Sequence, residues 1–357
     1  MKSAHQPQRE PAFVPDGHLR VSIVTHLPQV LRELGHDPAE ALSAFGIDPS
    51  FLDDRENVIE FRTVGRLIEY CAERTGCGHV GLLIGEASKL SDLGRVGLLA
   101  QHSPDVGTAL RSLIKHLHLH DRGGVPTLER AGELAMLGYA VYEGNTPGSG
   151  QIHAAATVTA QKVMQALCGP GWRASQVLLA LRRPADVEPF RRAFGAPILF
   201  NAGRCALIFP SRLLRQPTAA ADAVVCRSLE AVVAAMEARS GGQIVSETRR
   251  ALRAMLSAGH VTEEAVARAF ALHRRTLNRR LRVEGVNFRR LLDEMRFEVS
   301  RQMLRDSDAA VEEIAYSLGY GAASAFARAF RRWSGMAPHV WRAHVKQSPS
   351  GESVGQE

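Results

Sequence analysis

Cysteine is scarce in this 357-residue chain, and the five present, Cys71, Cys77, Cys168, Cys205 and Cys226, form an odd set without CxxC spacing. Neither a zinc knuckle nor a disulfide framework follows from such a set; reduced thiols packed as small hydrophobes do. No apolar run approaches the ~20 residues that a membrane span needs, and the opening "MKSAHQPQREPAFVPDGHLR" has no apolar core of a signal peptide. The expectation is a cytoplasmic protein that does not meet a membrane. Also missing are a Gly-rich phosphate cradle, an HExxH pair and any paired-carboxylate motif. Cys168, in "CGPGWR", has no identifiable base beside it to make it a nucleophile. No enzyme, cofactor or metal is therefore expected.

Lysine is absent from the long stretch between Ile244 and Val345. Between Ile244 and Val345 stand 18 arginines, no lysine and 11 acids, a surplus of +7 that equals the net charge of the whole chain. The remainder is neutral. A segregated basic module beside a neutral one is the electrostatic footprint of a nucleic-acid reader joined to something else. Guanidinium groups also suit bidentate hydrogen bonding to phosphates and guanine edges.

An apolar content of 45% and this length accommodate two globular modules. Residues 1–18 and 346–357 are polar tails expected to be disordered. Residues 19–215 read as an α+β domain. "VSIVTHLPQVLRELG" places apolar residues at helical spacing and stops at Gly35, and "TVGRLIEYCAERTG" repeats the device to Gly76. "SPDVGTALRSLIKHLHLH" offers Ser103 as N-cap with Pro104 after it. From Gly124 the period shortens: "VPTLERAGELAMLGYAVYE" alternates about "RAGE" as a hairpin. "QVLLAL" (176–181) and "PILFNAGRCALIF" (197–209) add short strands, the latter turning at Asn201-Ala-Gly203. A helix, "TVTAQKVMQALCG", separates these strand groups.

Residues 216–243 read as a linker helix and a Gly241-Gly242 hinge. Val225, Leu229, Val232 and Met236 make a short heptad-like seam, either packed on its own domain or serving a homodimer.

Residues 244–345 contain a weak internal repeat. "VARAFALHRRTLNRRL" from Val266 and "IAYSLGYGAASAFARAF" from Ile314 align over apolar positions, with one extra residue in the second turn. Each copy reads as a helix-turn-helix unit, about 263–284 and about 311–334. Ala267, Leu277 and Leu281 form the core of the first; Ala315, Gly319, Phe326 and Phe330 that of the second. Thr262 caps the first helix, and Ala271 stands where the second unit has Gly319 in the turn.

On its helix, "HRRTLNRRLR" (273–282) resolves into a Leu277/Leu281 edge and an outer stripe of Arg275, Asn278, Arg279 and Arg282. Such a stripe is either a solvated face or a surface for DNA. Arg275 and Arg279 stack like charges one turn apart, which a merely solvated helix avoids with glutamates. Arginine pairs bidentately with guanine and asparagine with adenine in the major groove. The second helix offers Ala322, Ala323, Ser324 and Ala327, with Arg328 as its one bidentate group. Base reading is accordingly expected from Arg275, Asn278, Arg279 and Arg328, and contacts to the DNA backbone from Arg274, Arg282, Ser324, Arg331 and Arg332. The first unit should dominate specificity.

"IAYSLGYGAASAFARAFRRWSGMAPHVWR" (314–342) resembles the signature of AraC/XylS-type transcriptional regulators. The first unit is similar to the family's first motif, down to Gly285, Phe288 and Arg296. "GIDPSFLDDRENVIEF" (46–61), "LCGPGWR" (167–173) and "RRPADVEPFRRAFGAPILFNAGRCALIFPSRLL" (182–214) resemble the arabinose-binding-like sensor of one branch of that family. The resemblance implies an α+β effector and dimerisation domain ahead of an all-α DNA-binding domain. Its two units would be joined by a rigid helix and enter successive major-groove turns ~34 Å apart. It implies double-stranded promoter or operator DNA, RNA polymerase and a small-molecule effector as partners, with a homodimer possible in principle. It carries no implication that the ligand is a sugar.

"KHLHLHD" (115–121) leaves three readings open: a metal site, an effector pocket using His116 and His120, or packing at a helix end. The reading is an effector-responsive transcription factor. Its rivals are an architectural DNA-binding protein without an effector and a DNA-acting enzyme docked by a helix-turn-helix.

Overall fold

The computed structural model describes residues 14–141, 146–239, 244–257, 261–269 and 272–347. Ala271, the Gly241-Gly242 hinge and most of both expected tails lie outside the described residues. The described part of the first tail is anchored: Val14 is buried, and Gly17 donates its amide to Arg122 O at 3.3 Å.

Strands β1 (His18–Arg20) and β2 (Val58–Glu60) pair antiparallel and bracket helices α1 (Leu27–Glu33) and α2 (Pro38–Ser43). The expected helix from Val21 begins late. Residues Val21–Ile23 form one 3-10 turn, because Pro28 belongs in a first helical turn, where its missing N–H costs nothing. Helices α3 (Phe61–Thr75), α4 (Val80–Ala87), α5 (Gly94–Gln101) and α6 (Val106–His116) follow. Asp105, not Ser103, caps α6. Its carboxylate accepts from Thr108 N at 2.7 Å, while the Ser103 hydroxyl donates back to Leu99 O at 2.9 Å.

The hairpin of β3 (Gly124–Ala131) and β4 (Leu134–Val141) turns at Gly132-Glu133 as its alternation implies, with Ala131 opposite Leu134. Helix α7 (Ser149–Cys168) crosses to β5 (Gln176–Leu178), and α8 (Glu188–Phe194) leads to β6 (Ile198–Leu199) and β7 (Cys205–Pro210). The five-stranded order is β3-β4-β7-β5-β6. The expected hairpin about Asn201 is therefore wrong in its partners. β6 pairs in parallel with β5 after the α8 crossover, and β5 lies between it and β7.

Two apolar cores fill this domain, one under β1, β2 and α3, the other between the sheet, α5, α6 and α7. α4 and α7 approach closely because α4 has no side chain at Gly81 and Gly85. A Cβ there would stand 2.1 Å from Gln151 O and 2.5 Å from Ala155 O. Helix α9 (Ala223–Arg239) lies on α5 and buries Cys226 and Val233, with Leu229 and Met236 packed beside them. Two residues of the expected seam thus serve their own domain, while Val225 is exposed.

The C-terminal helices are α10 (Ile244–Ser257), α11 (Glu263–Ala269), α12 (Arg274–Val283), α13 (Phe288–Asp306), α14 (Val311–Ser317), α15 (Ala323–Ser334) and α16 (Pro338–Gln347). They share one core that includes Leu252, Ala267, Leu277, Leu281, Leu291, Ile314, Phe326 and Phe330. This is the fold the residue patterns predict: an α+β domain followed by an all-α domain.

Candidate nucleic-acid interface

The two helix-turn-helix units close their turns alike. Leu272 donates its amide to Ala267 O at 2.9 Å in the first, and Tyr320 to Ala315 O at 3.0 Å in the second. Both bonds span five residues, the six-to-one closure of a helix that ends in a tight turn. In the second unit the turn residue is Gly319, at φ 78°. Thr262 caps α11 by accepting from Ala265 N at 3.1 Å. Each second helix is then held by its apolar edge: Leu277 and Leu281 on α12, Phe326 and Phe330 on α15, all fully buried.

α13 fixes one unit to the other. Asn287 caps it by accepting from Arg290 N at 2.8 Å, and Phe288 inserts into the shared core. Further along, Arg296 Nε donates to Leu318 O at 3.2 Å while its guanidinium lies 4.8 Å from the Tyr320 ring centroid. That arginine clamps the second turn onto the joining helix. Arg342 of α16 holds the segment before α14, donating to Ala309 O at 2.6 Å.

On the outer face of α12, Arg275, Arg279 and Arg282 are exposed and have no acid within salt-bridge distance among the described residues. Asn278 is different. It is half-buried and donates its side-chain amide to Glu263 on α11, so in the free protein it is not part of the outer stripe. Arg274 stays exposed but is paired with α11, 2.8 Å from Glu264 and 3.7 Å from Glu263. Sequence periodicity placed both on the right helix but could not see the acids that α11 presents to them. On α15, Ser324, Arg328 and Arg331 are exposed. Arg332 is exposed as well, but it faces Asp293 at 3.6 Å and lies 5.8 Å from the Trp333 ring. α12 and α15 thus each present exposed arginines to solvent.

The two histidines of the effector-pocket reading have separate partners. His116 Nδ1 meets Glu237 Oε1 of α9 at 2.8 Å, whereas His120 Nε2 shares a 3.0 Å hydrogen bond with Ser22 Oγ on the opposite side. Burial holds His120 neutral, with its pKa lowered to about 3, and neighbouring Arg20 pushes the same way. No group of three or more metal-ligating side chains occurs among the described residues. Burial raises the Cys168 thiol to about 11, far from a thiolate. No helix among the described residues is long and apolar enough to cross a membrane.

Sequence reasoning missed the contact between the domains. Ser149 Oγ on α7 donates to Asp306 Oδ2 at 2.7 Å, and Gln302 Nε2 on α13 donates to His153 Nε2 at 3.3 Å. Arg253 of α10, also fully buried, donates to Gln302. Polar residues scattered over three helices carry no local pattern by which to find them.

Residues 35–218 match the family model described as the arabinose-binding domain of AraC transcription regulator, N-terminal, and residues 266–344 match a helix-turn-helix domain. The chain is 27% identical over 321 residues to the HTH-type transcriptional regulator VirS of Mycobacterium tuberculosis, across 88% of this chain and 93% of VirS. It is 25% identical over 328 residues to the ornithine utilization regulator of Pseudomonas aeruginosa, across 90% of this chain and 95% of that protein. The crystal structure of transcriptional regulator CdpR from Pseudomonas aeruginosa is similar over 87% of this chain and 97% of that one, at 26% identity and a TM-score of 0.43. The sensor-domain model alone spans more than half of the chain and the helix-turn-helix model falls on its basic module; this protein belongs to the AraC family of DNA-binding transcription regulators, and is not an enzyme.

Proposed function

We propose that this regulator acts in the cytoplasm at a promoter, placing both helix-turn-helix units on double-stranded DNA and controlling access or recruitment of RNA polymerase in response to a small molecule held by its N-terminal domain. α12 reads bases through Arg275 and Arg279, with Arg282 on the backbone. α15 adds one base contact from Arg328 and holds phosphates through Ser324, Arg331 and Arg332. The observation that carries this reading is the contrast between the two outer faces. α12 presents exposed arginines with no acid beside them, whereas α15 presents Ala322, Ala323 and Ala327 around a single arginine. A bidentate arginine-guanine pair is worth about 1–3 kcal/mol of discrimination, and an alanine offers a base edge no hydrogen bond.

Arg274 and Asn278 enter the interface only if DNA draws them away from Glu263 and Glu264. Phosphate repels those acids, so the exchange is coupled to binding. Genome-wide binding followed by a base-by-base affinity scan of one site tests the reading. The half-site under α12 should be the stringent one. Equal affinity for all sequences would favour an architectural role instead, and greater stringency under α15 would reverse the assignment.

A further inference from the structure

The N-terminal domain holds an apolar cavity of about 140 Å³, partly open to the surface, where its two cores meet. Phe61 and Ile68 wall it from one side, Leu110 and Leu137 from the other, and Ala156 and Ala160 of α7 leave the space open between them. Its carboxylates, Tyr139 and Ser88, whose hydroxyl donates to Ile84 O at 3.0 Å, are already engaged, which leaves the half-buried Thr159 and the exposed Lys89 as the other polar groups of the lining. Tyr139 donates its hydroxyl to Asp121 at 2.6 Å, and Asp121 also accepts from the amides of Gly123 at 2.7 Å and Gly124 at 3.2 Å. Asp92 accepts from Arg55 at 3.0 Å and from Lys89 N at 2.8 Å, and pairs with His26 at 2.7 Å. A polyol placed here would have only Thr159 and Lys89 to meet its hydroxyls and would bury the rest without partners, which is costly. An apolar ring would not, and a dry apolar cavity of about 150 Å³ is known to accommodate benzene.

We propose that this cavity is the effector site, that its ligand is a small apolar molecule about the size of one six-membered ring, and that occupancy is read out through α7. The proposal rests on the effector-responsive reading above. α7 is one helix with two duties. One face lines the cavity, and the adjoining face, at Ser149 and His153, is bonded to Asp306 and Gln302 on the helix that joins the two DNA-binding units. A ligand that favours one seat of α7 over another therefore shifts how α13 is held, by as much as its affinities for the two states differ. A larger groove, about 1020 Å³, runs between α6, β3 and α10, but it is walled by the exposed Arg111, Lys115, Arg130 and Arg215 and opens to water. Its charged lining suits a polar ligand rather than an apolar ring.

The test uses the full-length protein titrated with toluene, indole and L-arabinose, followed by calorimetry and thermal unfolding, with DNA affinity measured on the same samples. Toluene or indole should bind saturably, one per chain, and raise Tm, and arabinose should not. Ala160→Leu should weaken ring binding about tenfold or more by occupying the space, with specific DNA binding kept; Ala156→Leu is the second variant if the first fails to fold. Gln302→Ala should retain ring binding but lose its effect on DNA affinity. Failure of both ring probes to bind the wild type overturns the site, as does ring binding that neither leucine variant weakens. Ring binding that leaves DNA affinity unchanged overturns the readout through α7. A protein that binds DNA specifically yet ignores the ring probes loses only this assignment; one that binds no sequence preferentially loses the regulator reading.

Discussion

Asn278 on α12 donates its side-chain amide to Glu263 on α11, across the first helix-turn-helix. The bond ties down the one side chain of the expected stripe that could recognise adenine, and Glu263 also stands 3.7 Å from Arg274. Glu263 thus restrains two groups that DNA could use, and it adds negative charge beside a phosphate-facing surface. Glu263→Ala should raise DNA affinity a few-fold, about 0.5–1 kcal/mol, as expected of a partly screened charge. Fluorescence polarisation with a promoter fragment at two salt concentrations checks this. Unchanged or weaker binding would mean that the acid orders α12 more than it repels DNA.

The exposed arginines of α12 and α15 differ in what surrounds them, so their loss should differ in kind. Arg279→Ala removes a group with no acid partner among the described residues and should cost about 1–3 kcal/mol at one base step while leaving other sequences nearly equal. Arg332→Ala removes a guanidinium that lies near Asp293 and Trp333. It should weaken binding to every sequence alike and reduce the salt slope by about one phosphate contact. Parallel titrations on cognate and scrambled duplexes separate the two outcomes. A uniform loss from Arg279→Ala would remove it from the base-reading set.

What the sequence made legible was whatever depends on local period. Leu277 and Leu281, one turn apart, marked the buried edge of α12, and both are fully buried. The alternation about the 130–133 turn marked the β3-β4 hairpin, whose strands pair with Ala131 opposite Leu134. What escaped depends on groups distant in the chain. Nothing near Ile198 announces that its strand pairs in parallel with Val177 rather than with its sequence neighbour Cys205. The N-cap of α6 was misplaced by two residues because Ser103 and Asp105 are both good caps, and only the backbone conformation decides between them. The Asn278–Glu263 bond bridges two helices 15 residues apart, and the Gln302–His153 bond joins two domains 149 residues apart. No period reports either.

The second turn depends on a residue that tolerates a left-handed backbone. Gly319 sits at φ 78°, and a Cβ there would meet only Arg296 Nη2, at 3.6 Å, an ordinary contact. Space is available, so the cost of a side chain is conformational. Gly319→Ala should destabilise the C-terminal domain by about 1 kcal/mol, and Tm should fall by a few degrees. DNA affinity should fall no more than the folded fraction does. A larger loss of affinity at full folding would show that the turn also sets how α15 is presented.

His120 makes stability depend on pH. In the fold it is buried beside Ser22 with its pKa lowered to about 3, chiefly by burial and next by Arg20. In the unfolded chain an imidazole takes up its proton near pH 6.5. Between those values the unfolded state binds the extra proton, so stability rises with pH across this window. It is fully present above about 6.5 and is lost progressively on acidification. A single such group contributes a slope of up to about 1.4 kcal/mol per pH unit. His153, buried at the domain contact with its pKa lowered to about 4, acts in the same direction. Urea unfolding at several pH values between 7.5 and 5 should show falling stability in the wild type. His120→Asn keeps a hydrogen-bonding group for Ser22 but cannot titrate. It should be less stable than wild type at pH 7.5, because the smaller side chain leaves space in a packed site, yet show the shallower slope. An identical slope in the two proteins would mean that His120 is already protonated in the fold, and that the bond to Ser22 is made by an imidazolium.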